Sequence, residues 1–446
     1  MTPRISEYAA RVDEATPAER DRHIDLLRGS AIIAVVVGHW LVASVVRRDD
    51  GSLDGVSVLT VADWTHWATW LFQVMPVFFL VGGYANATSW ERHEARGATW
   101  VAWVHRRAVR LLAPTAAFVG FGVGAVVVAH LAGVDPVMID LAGWVAGIVL
   151  WFLAVYIVVT ALTPATHRLH RRFGLAATLV LGLAVAVGDV ARVLTGDPAW
   201  SGANFVLGWA LIHTLGFWWR DGVLPTGAGA PLLFAAAAAT VLAALVIAGP
   251  WPVAMVDVPG ATVQNSSPPS LALLALTLVQ LGLALAVADT ARRWLRRPLP
   301  WTVVATVNRV VLTIFLWHMV AVVLGAVALY GSGLMAEPEP LSSAWFAWRP
   351  VWLGALALIT AALVAVFAPL EQRAARPVRA RADRPRRAAA LAGAGIVLAC
   401  GGLVGLTLGG LAGQGPLGMP VVGLSAVTAG TVMTFLAGRF AGPVDP

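Results

Sequence analysis

The run LALLALTLVQLGLALAVA, residues 271–288, decides how this chain folds. It contains no charged side chain and approaches the ~20 residues that an α-helix needs to cross bilayer hydrocarbon. Residues 31–37 and 232–248 are apolar runs of the same kind. Composition extends the point: the 446 residues are 59% hydrophobic and 12% charged, whereas a soluble domain carries about 25% charged residues. In water such a chain would expose far too much apolar surface, so the bilayer is its expected solvent. Lipid offers backbone groups no hydrogen bonds, and the runs are too uniformly apolar for the alternating strands of a membrane barrel. The expected fold class is therefore all-α, a polytopic membrane helix bundle.

Windows of about 19 residues place twelve spans, near 27–46, 65–88, 110–132, 141–163, 173–193, 201–218, 231–249, 270–289, 302–330, 350–370, 388–410 and 418–438. The arginines orient them, because cytoplasmic loops concentrate positive charge. With both the N- and C-termini cytoplasmic, every arginine except Arg47, Arg48, Arg192, Arg309 and Arg349 falls on the cytoplasmic side. Residues 371–387, rich in Arg, Ala and Pro, form the longest basic cytoplasmic loop. They divide a ten-span core with a short N-terminal arm, 1–370, from two additional C-terminal helices, 388–446. Gly401, Gly402 and Gly405 in that last pair suit close helix packing, and the pair holds no intramembrane charge, so its expected role is structural.

Several classes are disfavoured. The net charge of +7 is dispersed along loops rather than gathered on one face, so nucleic acid is not an expected partner. The single cysteine, Cys400, allows no intrachain disulfide. The first span follows a polar arm and lacks a small-residue cleavage site, so it is expected to stay as a helix. His167 and His170 fall in a basic loop with no cysteine or suitably spaced carboxylate, and no metal site is expected. No phosphate-binding glycine loop is present.

Ionisable side chains inside membrane helices are costly, and the default reading assigns them to a site. Arg28 and His39 are eleven positions apart in the first span, about three turns and ~16 Å along a helix, and share a face within ~20°. An arginine at the mouth and a histidine above it would line one groove, suited to a ligand with an anionic end. The bland alternative for His39 is a hydrogen bond between helices. Arg106, Arg107 and Arg110 open the third span at helical-neighbour spacing, and guanidinium groups pair well with phosphate; the alternative is that they only set topology. The ninth span holds Asn308, Arg309 and His318. Arg309 and His318 fall on opposite faces of a straight helix and share a cavity only if the helix is broken. Asn86, Tyr84, Tyr156 and His213 are lesser polar features, and residues 265–269 read as a polar turn.

These residues resemble the membrane acyltransferase 3 family, whose members move acyl groups to hydroxyls of glycans, lipids and secondary metabolites. The resemblance rests on Asp25-Leu-Leu-Arg28-Gly with its spacer to His39, Met75-Pro-Val-Phe-Phe-Leu with Gly83-Tyr84, Arg107 and Arg110, Trp151-Phe-Leu with Tyr156, and Leu316-Trp-His318. It implies a ten-helix core with a donor site for cytoplasmic acyl-CoA. By matched position His39 is implied as the catalytic residue, with His318 as a second candidate, and Arg28, Arg107 and Arg110 as donor-binding residues. No esterase-like domain of the sort appended in some relatives is expected here, and the last two helices lie outside the ten-span pattern.

The expected function is that of a multi-pass O-acyltransferase of a bacterial cytoplasmic membrane. It would take an acyl group, acetyl in the first instance, from acyl-CoA to a hydroxyl of a glycan, lipid or metabolite acceptor, with a partner protein one route to finishing the modification. His39 would serve as general base or as acyl carrier. The rival is a twelve-helix secondary transporter with His39 and His318 in a proton relay, disfavoured by the lack of two similar halves.

Overall fold

The computed structural model describes residues 3–97, 99–374, 385–413, 415 and 418–438. Most of the basic loop assigned to 371–387, and Arg439, lie outside them. The described residues form α1 (Pro3–Glu14), α2 (Arg22–Val42), α3 (Thr65–Phe72), α4 (Met75–Glu94), α5 (Trp100–Leu131), α6 (Pro136–Gly147), α7 (Leu150–Phe173) and α8 (Leu175–Thr195). These are followed by α9 (Asn204–Arg220), α10 (Gly229–Ile247), α11 (Leu271–Trp294), α12 (Pro298–Arg309), α13 (Val311–Gly325), α14 (Ser343–Ala374), α15 (Pro385–Gly409) and α16 (Val421–Ala437). Ten helical stretches among the described residues are long and apolar enough to cross a membrane. The spans expected at 201–218 and 418–438 fall on α9 and α16, helices of 17 residues each that are not among those ten. Local chemistry sets the ends: Thr99 and Ser270 cap α5 and α11 through their side chains, and Gly196, at φ 72°, closes α8 in the left-handed region that favours glycine.

Two expected spans differ in shape. The first, read as 27–46, stops at Val42, and the chain continues as an antiparallel hairpin of β1 (Ala43–Arg47) and β2 (Leu53–Ser57), with Ser44 opposite Val56. The β-branched Val45 and Val46 favour strand, and Asp50 closes the turn by accepting from Ser52 N at 2.8 Å. The ninth, read as one helix over 302–330, is broken at Val310 (φ −127°, ψ 13°) into α12 and α13. His167 and His170 lie on the last turns of α7 rather than in a loop.

The chain divides into two compact units. The first comprises residues 1–38, 62–89 and 165–311. Within it α4 crosses α9 at very close range: a Cβ on Gly83 would lie 1.9 Å from His213 O, and one on Gly216 would lie 2.1 Å from Leu80 O. The Asn86 side chain bonds His213 Nε2 at 3.1 Å beside that crossing. The loop before α11 is tied down by a charged pair that sequence reading passed over. Asp189, fully buried in α8, accepts from Arg192, from Trp251 Nε1 at 2.8 Å and from Leu271 N at 2.8 Å. Asn265 is buried too, donating to Pro252 O and Ala254 O, so residues 265–269 are a fastened polar turn. Along α8, Leu179, Leu183 and Val187 are exposed on one stripe, as a lipid-facing surface requires. At the end of α9, burial alone would raise the Asp221 carboxyl, but hydrogen bonds from His170 and Arg220 outweigh it and hold the group below its ordinary range.

The second unit comprises residues 39–61, 90–164 and 312–446. In it α15 and α16 pack against each other and against α5. A Cβ on Gly402 would lie 2.6 Å from Val427 N, and one on Gly430 would lie 2.3 Å from Ala399 N, so the glycines of this pair permit backbone-to-backbone packing.

Candidate active site

His39 and His318 meet. His39 lies three residues before the end of α2, and its Nδ1 is 2.8 Å from Nε2 of His318, with the rings nearly parallel at 18°. His318 is fully buried, whereas His39 is half-buried. His318 Nδ1 stands 2.6 Å from Phe315 O, and a carbonyl can only accept, so Nδ1 carries the proton. In the neutral pair His318 Nε2 is then an acceptor and His39 Nδ1 donates to it. His39 Nε2 is left with its lone pair outward, the form of imidazole that takes a proton from a hydroxyl or attacks a carbonyl. Trp40 Nε1 donates to His318 O at 3.0 Å, a second tie between α2 and α13.

Aromatic rings hold α13 in place. Phe315 meets Phe152 edge to face with centroids 4.8 Å apart, and Phe152 stacks on Tyr156. Trp317 is wedged between Phe118 and Phe121 of α5 and stacks on Phe367 of α14 at 3.8 Å. Phe152 and Tyr156, part of the fourth-span motif, thus pack through Phe315, whose ring borders His318. The break at Val310 also removes the straight-helix geometry that would set Arg309 and His318 on opposite faces.

The expected donor-binding arginines are placed differently from one another. Arg28 is on α2, with a quarter of its side chain exposed. It reaches Asp25 at a long 3.4 Å, a carboxylate held more closely by Arg20 at 2.6 Å. Arg106, Arg107 and Arg110 do not form one cluster: Arg106 bonds His93, Arg107 lies over the Trp103 ring at 5.3 Å, and Arg110 is exposed. Arg107 precedes Phe118, and Arg110 precedes Phe121, by eleven positions of α5, about 16 Å along the helix. Beside the first turn of α2 a cavity of about 540 Å³ is lined by Arg20, Arg22, Tyr84, Arg292 and Arg296 together with Asp13, Glu19 and Asp21. Among the described residues no three His, Cys, Asp or Glu side chains are grouped to hold a metal ion.

A family described as an acyltransferase domain matches residues 21–369, most of the chain. The chain belongs to the membrane acyltransferase 3 family. No curated protein and no solved structure matches it. As a member of that family it is a multi-pass membrane acyltransferase. The match takes in α2 with Arg28 and His39, α5 with Arg107 and Arg110, and α13 with His318, while α15 and α16 lie beyond it.

Two residues of the site escaped sequence reading, Phe315 through its carbonyl and Trp40 through its indole. Trp40 stood in plain view beside His39, but nothing in the sequence sets its ring against a carbonyl 278 positions away.

Proposed function

We propose that the protein transfers an acyl group, in the first instance acetyl, from cytoplasmic acyl-CoA to a hydroxyl of a carbohydrate, glycolipid or natural-product acceptor, with His39 as general base. The observation that carries this reading is the bond from His39 Nδ1 to His318 Nε2, backed by Phe315 O, because it leaves Nε2 of His39 as the free basic nitrogen. In the proposed step Nε2 takes the acceptor's hydroxyl proton while the oxygen bonds to the thioester carbonyl carbon. The carbon–sulfur bond then breaks, and the thiolate leaves with the proton returned from Nε2. His318 accepts from Nδ1–H throughout, so the positive charge gathered on His39 in the transition state sits in a charge-assisted hydrogen bond.

Arg28 and the Arg107 and Arg110 pair are proposed to bind the donor's phosphates. Each is a basic group about three turns from the histidine pair or from the rings that support it, the reach an extended thioester arm has to cover. The orientation proposed has twelve spans, both termini cytoplasmic and the arginine-bearing ends of α2 and α5 on the cytoplasmic side of a bacterial cell membrane. Family membership favours transfer over transport.

Two measurements test the reading. Purified protein in nanodiscs, given radiolabelled acetyl-CoA and no acceptor, is expected to carry no label after rapid quench into denaturant at neutral pH; acid-labile label on His39 would replace the general-base role with an acyl carrier. Acylated glycans, lipids and metabolites compared in cells with and without the gene are expected to differ in one O-acylated class. Unchanged acyl content in all three would overturn the proposal.

A further inference from the structure

The two helices that carry His39 and His318 both end on charges supplied by one other helix, α14. Near its start, Arg349 donates to Ala43 O at 3.0 Å and to Ser44 Oγ at 2.8 Å, with a longer contact of 3.5 Å to Trp40 O. The guanidinium lies 3.6 Å over the Trp345 ring, whose Nε1 also donates to Ser44 Oγ. A cation therefore sits just past the end of α2, at the negative end of that helix dipole, with Trp40 O the α2 carbonyl it reaches. Arg349 is only 7% exposed, and no carboxylate pairs with it among the described residues.

Near the other end of α14, the Glu371 carboxylate accepts from Thr313 N at 2.9 Å, from Thr313 Oγ1 at 2.6 Å and from Leu312 N at 3.4 Å. Those are the first free N–H groups of α13, so here an anion sits on the positive end of a helix dipole. One turn before Glu371, Phe367 stacks on Trp317, the neighbour of His318. Because the chain breaks at Val310, α13 has no preceding turn to satisfy these donors. His318 lies less than two turns beyond Thr313, and Phe315 O, which fixes its tautomer, lies in the capped turn. Both charges are of the sign each helix end requires, and neither residue touches the reacting nitrogen.

We infer that Arg349 and Glu371 are positioning residues and that α14 is a splint: by capping the end of α2 and the start of α13 it holds His39 and His318 in hydrogen-bond register. This rests on the histidine pair being the reacting centre.

The test uses the full chain in nanodiscs, with 15N-labelled imidazole rings, in Glu371→Ala, Glu371→Gln, Arg349→Ala and Arg349→Lys. A misplacement of about 1 Å can cost up to ~100-fold in rate. The alanine variants are therefore expected to lose about ten- to a hundredfold in kcat with KM for acetyl-CoA changed by less than about threefold, and to lose the nitrogen shifts of the His39–His318 bond. Gln and Lys, which keep part of each cap, are expected to fall between, and they carry the same readouts should an alanine variant not fold. Wild-type imidazole shifts and wild-type kcat in the folded variants would overturn the proposal, as would a raised KM at unchanged kcat, which would assign Glu371 to donor binding. Full activity in a His39→Ala protein would instead remove the reacting centre, while the imidazole spectra would still report whether α14 sets the pair.

Discussion

Replacing His318 with alanine removes the one group that receives the Nδ1 proton of His39. In the ground state the loss is a neutral hydrogen bond, worth about 0.5–1.5 kcal/mol. In the proposed transition state His39 is becoming an imidazolium, and a hydrogen bond to a charged group is worth about 1.5–3 kcal/mol. Only the excess over the ground state slows the chemical step, and it lies between about zero and ~2.5 kcal/mol. A second loss adds to it: without His318 the His39 ring is free to turn or to carry its proton on Nε2, which removes the base. Together these set the expected fall in kcat at about tenfold or more, the first term alone reaching ~60-fold at tenfold per ~1.4 kcal/mol. The assay is acetyl-CoA turnover by the nanodisc-reconstituted protein, with helical content and monodispersity matched to wild type. His318→Asn, whose side-chain oxygen can accept from Nδ1, should recover part of the rate. A folded His318→Ala protein with kcat within about threefold of wild type would refute the pairing as a functional contact.

Arg28→Ala and Arg110→Ala should each raise KM for acetyl-CoA about ten- to a hundredfold with kcat nearly unchanged, as loss of a charge-assisted phosphate contact requires; isothermal titration with CoA reads the same loss directly. Gly83→Ala should destabilise the first unit by about 3 kcal/mol or more, since overpacking of a tight contact costs roughly 1–3 and here the methyl would meet backbone at 1.9 Å; a melting temperature equal to wild type would contradict the crossing. Asp221 contributes a pH dependence whose sign is fixed. Its carboxyl is held below the ordinary range in the fold, so its stabilisation is complete above the unfolded pKa of ~3.9 and lost as pH falls through the lower folded value. Asp221→Asn should accordingly lose stability relative to wild type at pH 7, by a margin that shrinks as pH falls below ~3.9, read by thermal melts.

The membrane fold was legible because it depends on composition and on run length, both properties of the sequence itself. Arg28 and His39 were legible for a related reason: both lie on one uninterrupted helix, so their spacing converts directly into a rise and an angle. The pairing of His39 with His318 was not. It depends on the break at Val310, and no proline or glycine at 309–311 announces it. It depends equally on Glu371, which in sequence is one acidic residue at the edge of an arginine-rich stretch. Residues 43–46, most of β1, were read as the tail of a span because Val45 and Val46 raise hydropathy as readily as they favour strand. The arginines of α5 were correctly read as neighbours along a helix, but adjacency did not make them a cluster: His93, Trp103 and solvent each take one.

The central claim is that Nε2 of His39 performs the chemistry. The most direct test is acyl transfer by a His39→Ala protein that inserts into the membrane and keeps wild-type helical content. The account predicts loss of transfer by a factor of about 10³ or more, with CoA binding retained, because the donor-binding arginines are untouched. Transfer at the wild-type rate by that protein would contradict it.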